Sequence, residues 1–218
     1  RGLEIGAGTG QATDLFIKVI NDLDIVEVGD KQVDYLMEKY KSENVNTYKA
    51  YFEDFKSNKK YDLIFSATAF HWVDATVGYP KVWDMLNDSG VLAVFWHMSS
   101  VTLHDTGIFV GLNEIKKKYL PEESLGFDKE GIEGVRQKRI SQIQSGNYFG
   151  IPVIKEYRWI DTYDADRYSL LLESYSSTQT LDEEHKKLYL SEVRDYINSN
   201  GGVVEMPQHV MLYLVKKE

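Results

Sequence analysis

The sequence predicts an α/β protein in which helices cover both faces of a mostly parallel sheet. Apolar runs of strand length alternate with segments in which apolar side chains recur every three or four positions. A glycine-rich turn separates the first of these strands from the first of these helices. Strands that alternate with helices favour a parallel sheet, because each helix must bury its apolar stripe against a face of the sheet.

Seven segments have the length and composition of strands. They are the residues around Leu3 and Ile5, then 24–28, 45–50, 61–66, 90–96, 151–161 and 203–215, the last interrupted near Pro207. Helical periodicity marks 11–20, 33–40, 82–86, 168–175 and 189–197. We expect Pro80 in the first turn of the third of these helices, where a missing backbone N–H is harmless.

The chain has 218 residues, of which 43% are hydrophobic, so it can bury one substantial core. We therefore expect a single domain over 1–218. Residues 105–166 interrupt the alternation after the fifth strand and are polar and helical in pieces, which indicates an insertion that covers the ligand edge of the sheet. Because the sequence begins inside the first strand, we expect an N-terminally truncated version of the fold.

The composition excludes or disfavours several classes of protein. Without cysteine the chain has neither disulfides nor thiolate metal sites, and its five histidines are too scattered to predict a metal centre. A net charge of −9 disfavours nucleic acid as a partner. We find no segment that could span a bilayer and no signal peptide, and we expect a cytoplasmic protein without a membrane partner. We expect a monomer or a homodimer.

A glycine loop follows the first strand. Glu4 precedes Gly6, Gly8 and Gly10, and a helical segment comes next, so backbone N–H groups can meet a ligand there. We expect that a side chain at Gly6 or Gly8 would occupy space that the ligand needs. A dinucleotide fingerprint would have its third glycine at position 11, where Gln11 stands, and this argues against a nicotinamide-dependent oxidoreductase.

Two further strand ends carry candidate binding groups. Glu27 ends the second strand, and its two carboxylate oxygens could accept both hydroxyl groups of a ribose. Tyr51, Phe52 and Glu53 follow the third strand and could form an aromatic wall and a polar edge for adenine. The alternatives are a surface glutamate at position 27 and core roles for Phe52 and Phe55, which for Phe55 we prefer.

The motifs together resemble a known family. Residues 4–10, E-x-G-x-G-x-G, resemble the S-adenosylmethionine (SAM) loop of class I methyltransferases. Residues 61–74 are similar to methyltransferases of the methyltransferase-11 type, especially small-molecule enzymes related to trans-aconitate methyltransferase, and so are 168–176 and 212–215. The resemblance implies a Rossmann-like, seven-stranded fold and methyl transfer from SAM to a small molecule, with S-adenosylhomocysteine as product.

The resemblance also implies a site. His71 is the candidate catalytic residue, as a base if the acceptor must lose a proton and otherwise as a packing or orienting group. The residues expected to bind the cofactor are Glu4, Gly6, Ala7, Gly8, Gly10, Glu27, Val28, Tyr51, Phe52, Glu53, Ser66 and Ala67. Those expected to bind the acceptor are Trp72, Trp96, His97 and Tyr175.

The sequence alone does not decide the class of the acceptor or whether the protein is catalytic. The acceptor can be a carboxylate, a hydroxyl or an amine, because the insertion that would select it carries no readable motif. A SAM-binding sensor or partner protein without catalytic activity would have the same glycine loop.

Overall fold

The computed structural model describes residues 1–41, 43–97, 107–120 and 131–217. Its strands are β1 (Gly2–Ile5), β2 (Leu23–Glu27), β3 (Val45–Lys49), β4 (Tyr61–Ala67), β5 (Leu86–His97), β6 (Val153–Asp164) and β7 (Val203–Lys216). Its α-helices are α1 (Thr13–Phe16), α2 (Asp30–Lys39), α3 (Ala75–Met85), α4 (Ile108–Tyr119), α5 (Gly131–Gln144), α6 (Ala165–Glu173), α7 (Ser176–Gln179) and α8 (Glu183–Ser199).

The strands form one seven-stranded sheet in the order β3-β2-β1-β4-β5-β7-β6. The pairs β1–β2, β1–β4, β2–β3 and β4–β5 are all parallel. This confirms the predicted α/β fold with a mostly parallel, seven-stranded sheet. The strand order reverses between β1 and β4, and in sheets of this kind ligands bind beyond the carboxyl ends of the strands at that reversal.

Burial explains why the central strands could be read from the sequence. Every residue of β1 and β2 is buried, as expected for strands covered by helices on both faces. The two edge strands differ from them, since β3 and β6 are largely exposed.

The chain divides into two compact units. The first comprises Arg1–His97, Arg136–Glu156 and Met211–Glu218, and the second comprises Met98–Val135 and Tyr157–Val210. Each has an apolar cluster of its own, the first around Ile25, Leu36 and Phe65 and the second around Leu112, Val193 and Ile197. The single domain stays a prediction.

The predicted insertion, 105–166, contains α4, α5 and all of β6. Residues 105–106 and 121–130 of this prediction lie outside the described residues.

Several predicted boundaries were wrong. The helix expected over 11–20 is reduced to α1, followed by turns, since the adjacent β-branched residues Val19 and Ile20 and then Asn21 are weak helix formers. Pro80 lies inside α3 rather than in its first turn. That helix begins earlier than expected because the Asp74 side chain caps it, accepting the N–H of Thr76.

Two strand boundaries also differ from the prediction. Leu86, expected on the inner face of a helix, is the first residue of β5. The last strand runs without interruption through Pro207, and a strand accepts proline where the missing N–H is not needed by the ladder.

Candidate functional site

A crevice of about 560 Å³ opens in the first unit, where the ends of β1, β2, β3 and β4 meet. Its size is that of a site for a small ligand or cofactor. The lining is formed by Ile5, Gly6, Ala7, Gly8, Gln11, Val26, Glu27, Val28, Ala50, Tyr51, Phe52, Glu53, Ala67, Thr68, Ala69, Trp72 and Val73.

The glycine loop adopts a backbone that favours glycine, with φ of +72°, +59° and +84° at Gly6, Gly8 and Gly10. At Gly8 a Cβ would meet no protein atom within 4 Å, so the expectation that a side chain would occupy ligand space stays a prediction. At Gly6 the structure adds a second reason for glycine, because a Cβ would lie 2.5 Å from the Cβ of Ala69. At Gly10 a Cβ would lie 2.4 Å from the Tyr40 hydroxyl.

We expect Gly6→Ala to lower the free energy of unfolding by about 2 kcal/mol, because it combines a positive φ with overpacking. Gly150→Ala is the matched control. A Cβ at Gly150 meets nothing within 4 Å and its φ is not in the left-handed region, so its effect stays within about 0.5 kcal/mol. Urea unfolding of both variants measures the difference, and equal stabilities would contradict the contact with Ala69.

A polar cluster of Asp14, Lys39 and Tyr40 contacts the backbone of the glycine loop, and the sequence did not predict it. The Tyr40 hydroxyl lies 2.9 Å from the carbonyl oxygen of Gly10 and 2.7 Å from Oδ1 of Asp14. Lys39 donates from Nζ to the carbonyl oxygen of Thr9 at 3.2 Å and to Oδ2 of Asp14 at 2.7 Å. The sequence showed Tyr40 only as an apolar position on a helix, and its contact with the loop spans 30 residues.

Glu27 joins two of the loops around the crevice. Its Oε2 accepts the N–H of Gly8 at 2.8 Å, and its Oε1 accepts those of Val28 and Gly29 at 2.8 and 2.9 Å. An ionised carboxylate offers about four acceptor positions, so these three bonds leave room on Oε2 for a further donor. Glu27 is therefore both a support for the glycine loop and a candidate acceptor for a ligand hydroxyl.

Glu4 is buried at the end of β1 and is not among the lining residues. Thr13 donates from Oγ1 to its Oε2 at 2.6 Å, whereas its Oε1 has no hydrogen-bond partner. Burial raises the pKa of Glu4 to about 7, against the opposing effect of the Thr13 hydrogen bond.

The loop after β3 presents an aromatic wall. Phe52 is buried, packs against Phe70 with ring centroids 6.3 Å apart, and still lines the crevice, so a core role and a ligand contact are compatible. Lys81 fixes this loop: its Nζ donates to the carbonyl oxygen of Glu53 at 2.9 Å and lies 5.2 Å from the Phe52 ring centroid. Oε1 of Glu53 accepts the N–H of Asp74 at 2.9 Å. Phe55 is buried in the core.

The end of β4 contributes backbone strain and a structural serine. Ser66 is buried and donates from Oγ to the carbonyl oxygen of Ile5 at 2.7 Å, which ties β4 to β1. Ala67 lines the crevice, and the next residue, Thr68, has a φ of +52°, which is unusual for a β-branched residue. Backbone strain of this kind is concentrated at functional sites. The sequence indicates positive φ only at glycines, so it did not predict the positive φ of Thr68.

A short 3₁₀ helix, Phe70–Trp72, follows β4. Trp72 is 83% exposed and lines the crevice, and the neighbouring His71 is also exposed. Trp96 is buried, and its Nε1–H donates to Nδ1 of His71 at 3.1 Å. The guanidinium carbon of Arg139 lies 4.4 Å from the centroid of the Trp96 ring. Partial desolvation of the His71 ring, and then the charge of Arg139, lowers its pKa.

The predicted residues fall into three groups. Ten line the crevice: Gly6, Ala7, Gly8, Glu27, Val28, Tyr51, Phe52, Glu53, Ala67 and Trp72. Four are buried and are not among the lining residues: Glu4, Gly10, Ser66 and Trp96. Three exposed residues are not among them either: His71, His97 at the end of β5, and Tyr175 in the second unit.

The described residues contain neither a candidate metal cluster nor a candidate membrane-spanning helix. Across 1–41, 43–97, 107–120 and 131–217, no three acidic or histidine side chains are grouped so that they could hold a metal ion. In the same part of the chain, no helix combines the length and apolarity that crossing a membrane requires.

Comparison with known proteins agrees with the fold. Residues 3–94 match a family described as a methyltransferase domain. A curated relative, malonyl-[acyl-carrier protein] O-methyltransferase 1 of Ilyobacter polytropus, is 30% identical over 95 residues, which are 42% of this chain and 35% of the relative. The chain thus spans about a third of that relative's length.

Solved structures show the same fold across the chain. The YcgJ protein of Bacillus subtilis gives a TM-score of 0.59 at 15% identity, covering 100% of this chain and 92% of its own. The cyclopropane synthase MmaA2 of Mycobacterium tuberculosis gives 0.56 at 17% identity, covering 99% and 77%. The family match confirms the predicted resemblance to methyltransferases over residues 3–94, and the solved structures agree with it in fold.

Proposed function

We propose that this chain, whose residues 3–94 form a methyltransferase domain, transfers a methyl group from SAM to a small-molecule acceptor. The observation that supports this most directly is the Glu27 carboxylate, which stands at the end of β2, lines the crevice and is linked by the Gly8 N–H to the glycine loop after β1. A carboxylate in this place suits the hydroxyl groups of a nucleoside.

The residues present fit the cofactor. The volume of about 560 Å³ suits a nucleoside with a short side chain. Glu27 would accept a ribose hydroxyl, Tyr51 and Phe52 would face the adenine, and Ala67 and the open position at Gly8 would adjoin the methionine part. The unpartnered Oε1 of the buried Glu4 fits a nearby cationic group, as the methionine ammonium would be.

When bound, SAM supplies an activated methyl group on a sulfonium. The protein then has mainly to bind, orient and desolvate the reactants, since positioning can account for much of the rate of such a displacement. The glycine loop and Glu27 would hold one reactant, and the exposed ring of Trp72 would cover the crevice. His71, beside Trp72, stays the candidate for contact with the acceptor.

The test is calorimetric titration of the chain with S-adenosylhomocysteine. We expect Glu27→Gln to weaken binding about 10- to 100-fold, because a hydrogen bond to a charged acceptor contributes about 1.5–3 kcal/mol. Glu38→Gln is the matched control: it removes the same charge from an exposed position on α2, outside the crevice, and should leave the affinity unchanged.

Three outcomes would contradict the proposal. They are no binding to the unaltered chain, equal affinity in the two variants, and binding of NAD but not of SAM. If SAM binds but no methyl group is transferred to any acid, alcohol or amine, the chain is a SAM-binding sensor or partner protein instead.

A further inference from the structure

We infer that two copies of this chain associate edge to edge through β6, and that the paired strands run antiparallel about a two-fold axis at Tyr157. The partner is a second copy of the chain, and one sheet continues through both copies. The inference goes beyond the proposed function, because no residue of β6 is among those that line the crevice. It also chooses between the monomer and the homodimer that the sequence left open.

β6 is a long edge strand that lies open to solvent. Within the described part of the chain, the sheet ends at β3 on one side and at β6 on the other. β3 has 5 residues, whereas β6 has 12, and none of these 12 is buried. An edge strand exposes backbone N–H and C=O groups that can pair with another strand, and proteins usually prevent this with short or covered edges. β3 is protected by its length, and β6 is not.

The side chains of β6 favour contact with protein over contact with water. Val153, Tyr157 and Trp159 are 60%, 50% and 44% exposed, and they lie on one face because they are an even number of positions apart. Ile160, on the other face, is 62% exposed. Exposed apolar side chains that adjoin one another mark an interaction site, whereas scattered ones do not. The strand therefore has both the backbone groups and the side chains of a pairing surface.

The symmetry of a homodimer restricts how two copies of β6 can pair. A dimer that closes on itself has a two-fold axis, so the same surface of each copy forms the contact. An axis perpendicular to the sheet makes the two strands antiparallel, with directly opposite side chains on the same face. Because faces alternate along a strand, the axis must pass through one residue, which then faces its own counterpart.

Charge excludes half of the central positions for this axis. A long overlap between the two strands requires an axis near the middle of β6, among residues 156–161. Like charges that lie directly opposite each other destabilise a pair of strands. A charged residue at the axis would face the same charge, which excludes Glu156, Arg158 and Asp161. The positions that remain are Tyr157, Trp159 and Ile160.

The three remaining registers differ in the charges that they bring together. An axis at Ile160 would place Glu156 opposite the carboxylate at position 164. An axis at Trp159 would place no two opposite charges against each other. An axis at Tyr157 places Glu156 opposite Arg158 of the second copy, and the symmetry forms this ion pair twice. Charge complementarity therefore selects the register centred on Tyr157.

On one face of the strand, the selected register also matches apolar side chains. Ile154 lies opposite Ile160 of the second copy, next to the ion pair that Glu156 forms. Within its own chain, Glu156 already pairs with Arg136 of α5. A carboxylate has about four acceptor positions, so it can bind a guanidinium group of each copy.

On the other face, the selected register brings aromatic side chains together. The two Tyr157 rings meet at the axis, and Lys155 lies opposite Trp159 of the second copy, where its ammonium group can contact the face of the indole. The Trp159 Nε1–H donates to Oδ1 of Asp161 at 3.0 Å, which holds the indole along this face of the strand. Both faces of β6 are thus complementary to themselves.

The contact is small, because each copy contributes one strand. Permanent dimers bury more surface than a single pair of strands provides, so we expect monomer and dimer in equilibrium. Association is therefore measured over a range of protein concentrations at physiological ionic strength, where the repulsion between two chains of net charge −9 is screened.

The position of the axis can be tested by disulfide cross-linking, because the chain contains no cysteine of its own. In Tyr157→Cys the two thiols face each other, and opposite residues in an antiparallel pair have Cα atoms about 4.5–5.5 Å apart, within the range that a disulfide spans. We expect this variant to form a covalent dimer on mild oxidation. Electrophoresis without reductant measures the yield.

Lys155→Cys is the matched control, since it lies on the same face of β6 two residues away. In the selected register its counterpart is four positions distant along the strand, about 13 Å, which is too far for a disulfide. This variant should stay monomeric under the same oxidation. Equal yields in the two variants, or no cross-link in Tyr157→Cys, would overturn the axis.

Association itself is tested by sedimentation equilibrium of chains without added cysteine. We expect the unaltered chain to shift from monomer to dimer as its concentration rises. In Arg158→Glu the dissociation constant should increase at least about tenfold, because two ion pairs with Glu156 become two pairs of like charges. Lys187→Glu, the same change of charge at an exposed position on α8, should leave the equilibrium unchanged.

Two results of sedimentation would overturn the inference. One is an unaltered chain that stays monomeric at every concentration, and the other is a dimer that Arg158→Glu does not weaken more than Lys187→Glu. Neither experiment uses SAM or turnover, so a failure here leaves the proposed function intact. Absence of SAM binding in calorimetry would in turn leave the pairing of β6 unaffected.

Discussion

Replacement of Asp24 by alanine should lower the free energy of unfolding by about 3 kcal/mol. Asp24 is buried in β2, where its Oδ1 accepts bonds from Asn46 Nδ2 at 2.9 Å and Lys59 Nζ at 2.8 Å. Its Oδ2 accepts the Tyr61 hydroxyl at 2.7 Å. Removing one partner of a buried ion pair leaves the others unsatisfied, which costs about 3–5 kcal/mol. The partial exposure of Lys59 places the expected value at the lower end of that range.

Urea unfolding measures this effect, and Glu38→Ala is its control. Glu38, near the end of α2, forms an exposed ion pair with Lys41, which follows the helix. Pairs of this kind contribute about 0.3–0.5 kcal/mol, so the two variants should differ several-fold in their loss of stability. A similar small loss in both would mean that Asp24 is not the centre of a buried network.

The second large effect concerns pH. The pKa of Glu4 is raised to about 7 from an ordinary value of 4.5, so between these two pH values the folded state binds the proton more tightly than the unfolded state. Stability falls with pH wherever the folded state holds more protons. The contribution of Glu4 is therefore fully present below about pH 4.5 and is lost as the pH rises through about 7, by roughly 3 kcal/mol in all.

Glu4→Gln isolates this contribution, because every other titrating group is common to both proteins. The free energy of unfolding of the variant minus that of the unaltered chain should increase by roughly 3 kcal/mol from about pH 4.5 to about pH 8. Urea unfolding curves at a series of pH values provide the measurement, with Gly150→Ala, which changes no titrating group, as the reference. If the difference does not change with pH, the pKa of Glu4 is the same in the folded and the unfolded protein, which would contradict the prediction.

The sequence was most informative where local pattern and burial agree. The strands β1 and β2 are buried throughout, so their apolar runs could be recognised without knowing their neighbours. Glu27 could be singled out from its place at a strand end, because in a parallel sheet these ends meet along one edge. Helix limits were less certain, since a single cap such as Asp74 moved the start of α3.

Contacts between distant residues could not be predicted in the same way. The clash that forbids a side chain at Gly6 involves Ala69, and the bond that orients His71 comes from Trp96. The network around Asp24 joins three partners that no local pattern connects. Each depends on how the folded sheet brings separate strands and loops together, which no local pattern contains.

The position of β7 has a consequence for how the chain is made. β7 is the last strand in sequence, yet it lies between β5 and β6 in the sheet. During synthesis from the N-terminus, β6 leaves the ribosome before the strand to which it is to be hydrogen-bonded exists. The edge of β5 that pairs with β7 therefore stays unpaired until residues 203–216 have been translated, and a nascent chain stalled before residue 203 would expose that edge to chaperones.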